Sequence, residues 1–405
     1  MDVVVIGAGL VGLAIARRIQ QVRPGASVLV VDKEDHVAAH QSGHNSGVVH
    51  AGVYYPPGSL KAQLVRRGVG LLREFAAEHD VAWQDLGKVV VATTGIEQHR
   101  LTQIAERAEA NGVPGVNLLG PSGLRDLEPH VVGVAALHSP TTAVIDFPGV
   151  ARALAAQIEA EGGEVRLSCE VTGLTEGADG VYLTARREVS GSPFAHTEIL
   201  TAREVVICAG LHADRLAQFA GGAPDPAIVP FRGEYHLLRP ERAHLVSGLV
   251  YPVPDPRYPF LGVHLTRRVD GSVDVGPNAV LALAREGYGR MDLNWADVRD
   301  YARSPGLRSM AREHWPTGVR EVLGSVSGRR FVDAARRYVP ELRAADLTRG
   351  PSGVRAQALD RDGSLVDDFV IERSGAVTAV RNAPSPAATS CLAIAEHVVD
   401  RLAWA

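Results

Sequence analysis

The sequence predicts an α/β protein of two interleaved parts, a Rossmann-like nucleotide-binding domain with buried parallel strands and an α+β second domain built on an antiparallel sheet. Three observations carry this reading. An apolar strand, a glycine-rich turn and a helix open the chain. Strand-like and helix-like segments then alternate through its first half. From Ala227 to Gly276 proline and glycine become frequent, and short strands succeed one another without long helices.

Residues Met1 to Ile6 form an apolar, β-branched run, as a strand buried on both faces requires. Leu10 to Gln21 has helical spacing, and Val28 to Val31 is a second buried strand ended by Asp32. Leu86 to Ala92 reads as a strand and Ile96 to Ala110 as a helix closed by Asn111-Gly112. Gly149 to Glu161 reads as a helix that Gly162-Gly163 ends. Strands follow at Glu164 to Ser168, Glu170 to Thr175, Val181 to Ala185 and Glu204 to Cys208. In the second part strands are expected at Ile228 to Leu238, Phe260 to Thr266 and Ser272 to Val275, then mostly helix from Trp295 to Arg337. Gly353 to Ala405 returns to strand, loop and helix. The expected division is 1–84, 146–222 and 346–405 for the nucleotide-binding domain, and 85–145 and 223–345 for the substrate domain.

Composition narrows the function. The chain has 405 residues, enough for two or three domains at roughly 150 residues each. Net charge is -4 with no basic stripe, which argues against nucleic acid as a partner. Cys169, Cys208 and Cys391 are scattered, so neither a disulfide framework nor a zinc site is expected, in keeping with a reducing cytoplasm. The apolar run from Val3 to Ala16 follows no Lys or Arg and is broken by Gly7, Gly9 and Gly12, so it is strand, turn and helix and not a signal peptide. No apolar stretch reaches the ~20 residues that span a bilayer.

Gly7-Ala8-Gly9-Leu10-Val11-Gly12 is G-x-G-x-x-G set between strand and helix, a Rossmann-like fingerprint. Gly7 makes the turn, Gly9 admits a pyrophosphate to the helix N-terminus, and Gly12 lets helix and strand pack closely. Asp32, 20 residues after Gly12 and followed by Lys33, is placed for the ribose hydroxyls and disfavours a 2′-phosphate. The next segment, HQSGHNSGVVHAG from His40 to Gly52, is a long polar loop where an NAD enzyme usually continues into another βα unit. Ser42, Asn45 and Ser46 suit pyrophosphate and ribityl oxygens, and Gly47 with its neighbouring glycines permits close approach to a flat ring.

That loop, extended as HQSGHNSGVVHAGVYYPPGSLKAQL, resembles the L-2-hydroxyglutarate oxidase/dehydrogenase family of the D-amino-acid-oxidase-like flavoproteins. The resemblance continues through Pro230 to Pro240, Tyr251 to Arg267, Asp270 to Tyr288, Gly353 to Phe369 and Arg381 to Ser390, nearly the whole chain. It implies a Rossmann-like FAD-binding domain, non-covalent FAD, and oxidation of L-2-hydroxyglutarate to 2-oxoglutarate. Electrons would pass to a membrane quinone pool or to oxygen, from a cytoplasmic protein whose peripheral contact with the inner face of the cell membrane is left open. Ser42 stands where the family more usually has threonine. By the same resemblance Val171, Ala209 and Gly210 offer backbone contacts to FAD, and Pro386, Ala387, Ala388 and Thr389 aim the N-terminus of the last helix at the flavin.

Oxidising a hydroxy acid needs a base and a cation for the carboxylate. His264 is the preferred base and His50 the alternative, or a flavin-side contact. Arg355 resembles the carboxylate-binding arginine of the wider group, and its fork suits that ligand and the flavin side alike. A five-carbon diacid needs a second cation, for which Arg232, Lys61 and Arg267 remain open, and Tyr55 and Tyr235 are candidate hydrogen-bond donors. Two other readings stand beside this one: an amine or amino-acid oxidase of the same superfamily acting on glycine or sarcosine, and a non-catalytic dinucleotide-binding scaffold or sensor.

Overall fold

The computed structural model describes residues 1–187, 195–255, 262–312 and 328–402. Val3–Ile6 has no neighbour in water on either face and forms the centre of a six-stranded sheet. Its order is Val370–Ser374, Val377–Asn382, Glu204–Ile207, Val3–Ile6, Val28–Val31, Glu164–Arg166. All neighbours are parallel except the edge pair Val370–Ser374 and Val377–Asn382.

The two-residue period of a strand decides what each face meets. Val3 and Val5 point into a core shared with the helices Leu10–Val22, Leu60–Glu78, Phe147–Ala160 and Ala387–Val399. Val4 and Ile6 point the other way, into a core with Val171, Leu183 and Ala185 of an antiparallel three-stranded sheet, Cys169–Gly177, Gly180–Arg187 and His196–Ala202. Burying both faces is what a parallel sheet demands.

The second sheet has nine described strands and is mostly antiparallel. Its order runs Val280–Leu281, Ala227–Leu238, Val273–Gly276, His264–Arg267, Leu249–Pro252, Lys88–Ala92, Ala135–Ser139, Asn117–Leu119. One pair, Leu249–Pro252 with Lys88–Ala92, is parallel. Leu347–Leu359 lies antiparallel along Ala227–Leu238, from Ala227 opposite Leu359 to Leu238 opposite Leu347. Residues after 346 therefore join the second sheet first and reach the parallel sheet only at Val370–Ser374, a departure from the division expected at 346. The polar stretch Thr348–Gly353 gave no alternation from which to read a strand. A small sheet of Val48–Val49, Trp83–Asp85 and Ala143–Ile145 likewise joins segments assigned to different domains.

Several expected elements overlap residues outside those described. These are 260–261 of the Phe260 to Thr266 strand, 313–327 of the Trp295 to Arg337 helical region, and 403–404 of the last helix, expected over Ala387 to Trp404. Among the described residues no helix is long and apolar enough to cross a membrane.

Candidate active site

A cavity of about 810 Å³ is lined by residues of both sheets. At one end is the fingerprint turn. Gly7 has φ +113°, and a Cβ there would lie 2.3 Å from the Cys208 carbonyl oxygen. A Cβ on Gly12 would lie 2.0 Å from the Gly7 carbonyl oxygen, so only glycine lets helix and turn meet. The helix begins after Gly9 with no side-chain cap from that residue and no acid in its first turn. Ser42 Oγ accepts the Leu10 N–H at 2.9 Å, and Gly9, Leu10 and Ser42 all line the cavity. Asp32 takes the Ala8 N–H on Oδ2 (2.6 Å) and the Glu34 N–H on Oδ1 (3.0 Å), which fixes the carboxylate and leaves lone pairs for hydroxyls.

Lys33, Ser46, Val171, Ala209 and Gly210 line the same end. Asn45 lines it too, but its side chain is used within the loop: Nδ2 donates to the carbonyls of Gln41 and Ser42, and Oδ1 accepts the Gly47 N–H. Two expected cofactor contacts are corrected. Gly12 and Gly47 do not line the cavity; Gly12 packs helix on turn, and Gly47, at φ +70°, accepts the Ile145 N–H and anchors the small sheet.

Farther along, Pro386, Ala387, Ala388 and Thr389 present the start of the last helix, again with no side-chain cap and no acid in the first turn. A cavity of this size, with an acid-free helix N-terminus on each side and a fixed carboxylate at one end, fits a long anionic dinucleotide.

The chemical end is built from two sources. His50, Tyr54, Tyr55 and Lys61 follow the short strand Val48–Val49, while Tyr235, Tyr251, His264 and Arg355 project from the large sheet. His264 is 4% exposed, stacks on the Tyr251 ring at 4.1 Å, and has Nδ1 3.1 Å from the Gly262 carbonyl oxygen. A carbonyl only accepts, so Nδ1 carries the proton and Nε2 keeps its lone pair. Burial depresses the pKa of His264 to about 3, aided by the charges of Arg355 and Lys88 and opposed by the Gly262 hydrogen bond. His50 is held at about 3 by burial and then by Lys88, His264, Arg355 and Lys61. Both rings are therefore neutral near pH 7. Arg355 donates to the Tyr235 hydroxyl, and Lys61, buried, puts Nζ 2.7 Å from Asp367 Oδ1 and 5.4 Å from the Tyr55 ring centroid.

Arg232 and Arg267 do not line the cavity. Arg232 Nη1 donates to the Gly289 carbonyl and its Nη2 faces Glu234 at 3.3 Å; Arg267 donates to the carbonyls of Ala243 and Val246. Both expectations are corrected by alternation: each side chain leaves the sheet on the side away from the cavity. Other residues were missed. Tyr54 and Tyr251 lie inside motifs already singled out, so their position was readable though their role was not. Lys88, 1% exposed at the head of KVVVA, carried a signal in being the one charge on an apolar strand. Glu286 also lies inside one, Asp270 to Tyr288, but its partners were not readable there: it reaches Lys33 (2.8 Å) and His212 (2.9 Å) from a loop distant in sequence. Burial works to raise its pKa, yet the hydrogen bonds from His212 and Lys33 prevail and hold it at about 2.

The FAD dependent oxidoreductase (DAO) family model matches residues 2–401. The chain belongs to this family. FAD is accordingly the cofactor, and the protein is a flavin-dependent oxidoreductase. Among its relatives, the mitochondrial L-2-hydroxyglutarate dehydrogenase of Nematostella vectensis is 43% identical, over 99% of this chain and 90% of that one. The mitochondrial L-2-hydroxyglutarate dehydrogenase of Homo sapiens is 42% identical over 99% and 88%, and L-2-hydroxyglutarate dehydrogenase of Salmonella houtenae is 42% identical over 99% and 93%. The fold of the family is shared with the FAD-bound L-alpha-glycerophosphate oxidase of Mycoplasma pneumoniae, at a TM-score of 0.79 and 22% identity over 100% of this chain and 95% of that one. Glycine oxidase from Geobacillus kaustophilus follows at 0.71 and 19%, over 98% and 93%.

Proposed function

We propose that the protein oxidises L-2-hydroxyglutarate to 2-oxoglutarate. The observation that carries this is one cavity with the dinucleotide fingerprint at one end and, at the other, an arginine and two neutral histidines. The names of relatives above 40% identity supply the choice of acid.

When bound, FAD supplies the acceptor that takes a hydride from the carbinol carbon. Arg355, steadied by Tyr235, pairs bidentately with the α-carboxylate. Lys61, on the cavity lining with His50 and Tyr55, would take the distal carboxylate; its present partner Asp367 is 84% exposed, so the exchange sends that carboxylate back to water. His264 accepts the hydroxyl proton at Nε2, its ring held by Gly262 and Tyr251. His50, whose backbone N–H donates to Thr389 Oγ1, ties the catalytic end to the last helix. The electrons leave to a quinone or to oxygen, from a protein in the cytoplasm that is free or peripheral on the membrane.

The test is anaerobic mixing with L-2-hydroxyglutarate while the flavin absorbance is followed. Rapid bleaching, absent with the D isomer, lactate, glycine and sarcosine, is expected. Bleaching by the amines alone would replace this reading with the amino-acid oxidase one. Bleaching by no small acid or amine would leave a dinucleotide-binding scaffold.

A further inference from the structure

The loop that carries Glu286 belongs to the second sheet, yet its side chains are bonded to the nucleotide-binding part. It leaves the strand Val280–Leu281, and Leu283 pairs with Leu293 at its base. Arg285 is paired with Asp214 and donates to the Leu211 carbonyl at 2.6 Å. A carboxylate only accepts, so Glu286 Oε1 takes hydrogen bonds from Lys33 Nζ (2.8 Å) and His212 Nε2 (2.9 Å), with His40 Nε2 at 3.3 Å. The Tyr288 ring lies 4.2 Å from that of His44, and its hydroxyl 3.3 Å from His40 Nδ1. Beyond it Gly289 and Arg290 are tied back to the second sheet by Arg232 and Glu234. Glu34, His40 and Glu286 converge closely enough to suggest a metal, but the Lys33 ammonium contacts all three and fills the place of a cation.

Lys33 follows the strand Val28–Val31 and His212 follows Glu204–Ile207, the two strands that flank Val3–Ile6. Parallel strands deliver their C-terminal ends to one edge, so Glu286 reaches both sides of the fingerprint turn at once. Lys33, His40, His44, His212 and Glu286 all line the cavity. Tyr288, the one large ring of the segment, packs on histidines and belongs to none of the apolar cores of the described residues. A segment held by polar contacts instead of an apolar core opens at less cost than the core elements around it.

We propose that Glu286–Tyr288 is a clasp that closes across the dinucleotide end of the cavity and sets the rate at which FAD enters and leaves. Arg285 anchors it on one side and Gly289–Arg290 on the other. The three residues between must part from Lys33, His40, His44 and His212 before the cofactor can pass on this side. A closed clasp slows passage in both directions, whereas a residue that only grips the cofactor slows its departure alone. The proposal does not depend on which substrate is oxidised.

The test compares holoprotein of the wild type with Glu286→Gln and with Arg73→Gln, which breaks an exposed pair elsewhere. Two quantities are read: the rate at which bound FAD exchanges for isotopically labelled FAD in excess, and the equilibrium dissociation constant found by diluting the holoprotein. Glu286→Gln is expected to speed exchange about tenfold, the weight of one hydrogen bond to a charged group, while the dissociation constant moves by no more than about twofold. Arg73→Gln is expected to match the wild type in both. Exchange at the wild-type rate would overturn the proposal. So would a dissociation constant that rises in step with the exchange rate, which makes Glu286 a plain grip on the cofactor. Should Glu286→Gln purify without flavin, His212→Gln, which removes one donor from the same carboxylate, takes its place with the same expected and contrary results. Neither quantity needs a substrate, so failure of the hydroxy-acid reading leaves the test standing.

Discussion

In the proposed mechanism Arg355 binds the substrate and His264 takes its proton, and substitution should separate the two roles. Arg355→Ala is expected to weaken substrate binding severely while FAD stays bound; an unchanged apparent affinity would remove Arg355 from the site. His264→Ala is expected to slow flavin reduction by about 10²–10⁴-fold; a near-normal rate moves the base to His50. The same histidines govern acid stability. Their folded pKa values of about 3 lie below the ordinary 6.5. Below pH 6.5 the unfolded chain binds protons that the buried rings refuse, so their contribution is full above 6.5 and is lost as pH falls toward 3. Melting temperatures measured down that range should fall, and fall less steeply in a His50→Phe, His264→Phe double variant. Residue types and motifs singled out His50, His264, Arg355, Tyr55, Tyr235 and Lys61, and the structure places all six on the cavity wall. Arg232 and Arg267 were equally good candidates in sequence, because one dimension does not say on which face of a sheet an arginine emerges.

At the scale of elements, the opening βαβ unit was read almost residue for residue: Val28–Val31 was bounded as found, and the helix closes one residue beyond Gln21. Buried strands and an amphipathic helix write their period into the chain. Leu347–Leu359 does not, for Thr348, Arg349 and Gly350 carry no apolar alternation, and its place is set by the ladder with Ala227–Leu238. That strand nevertheless delivers Arg355 to the cavity. The close fit of the first helix gives a further expectation. Gly12→Ala places a carbon 2.0 Å from the Gly7 oxygen, and should cost about 1–3 kcal/mol and loosen FAD. Thermal denaturation and cofactor titration of that variant check both; wild-type values would mean that the turn yields freely.

At the scale of the whole molecule the two sheets are joined by charge as well as by chain. Arg285 makes a bidentate pair with Asp214, both buried, and Asp214 also accepts the Ile228 N–H. Arg215, which follows Asp214 in the helix Ala213–Phe219, pairs with Asp297 and Asp300. Asp214→Ala leaves Arg285 without its partner carboxylate and should cost about 3–5 kcal/mol, seen as a fall in melting temperature. A loss no larger than for an exposed pair such as Arg73–Asp85 would show that water replaces the contact. None of these links could be seen in sequence, since each joins residues tens of positions apart whose types are common on any surface.

The cavity draws on both ends of the chain, from Gly7 and Asp32 to Arg355 and Thr389, and the strand Val377–Asn382 must pair with Glu204–Ile207 before the parallel sheet is whole. The segment that carries Gly7 and the one that carries Thr389 are thus brought to one cavity only when that sheet is closed. FAD therefore needs both segments at once, and a chain cut before Val377 should purify colourless whatever the supply of cofactor.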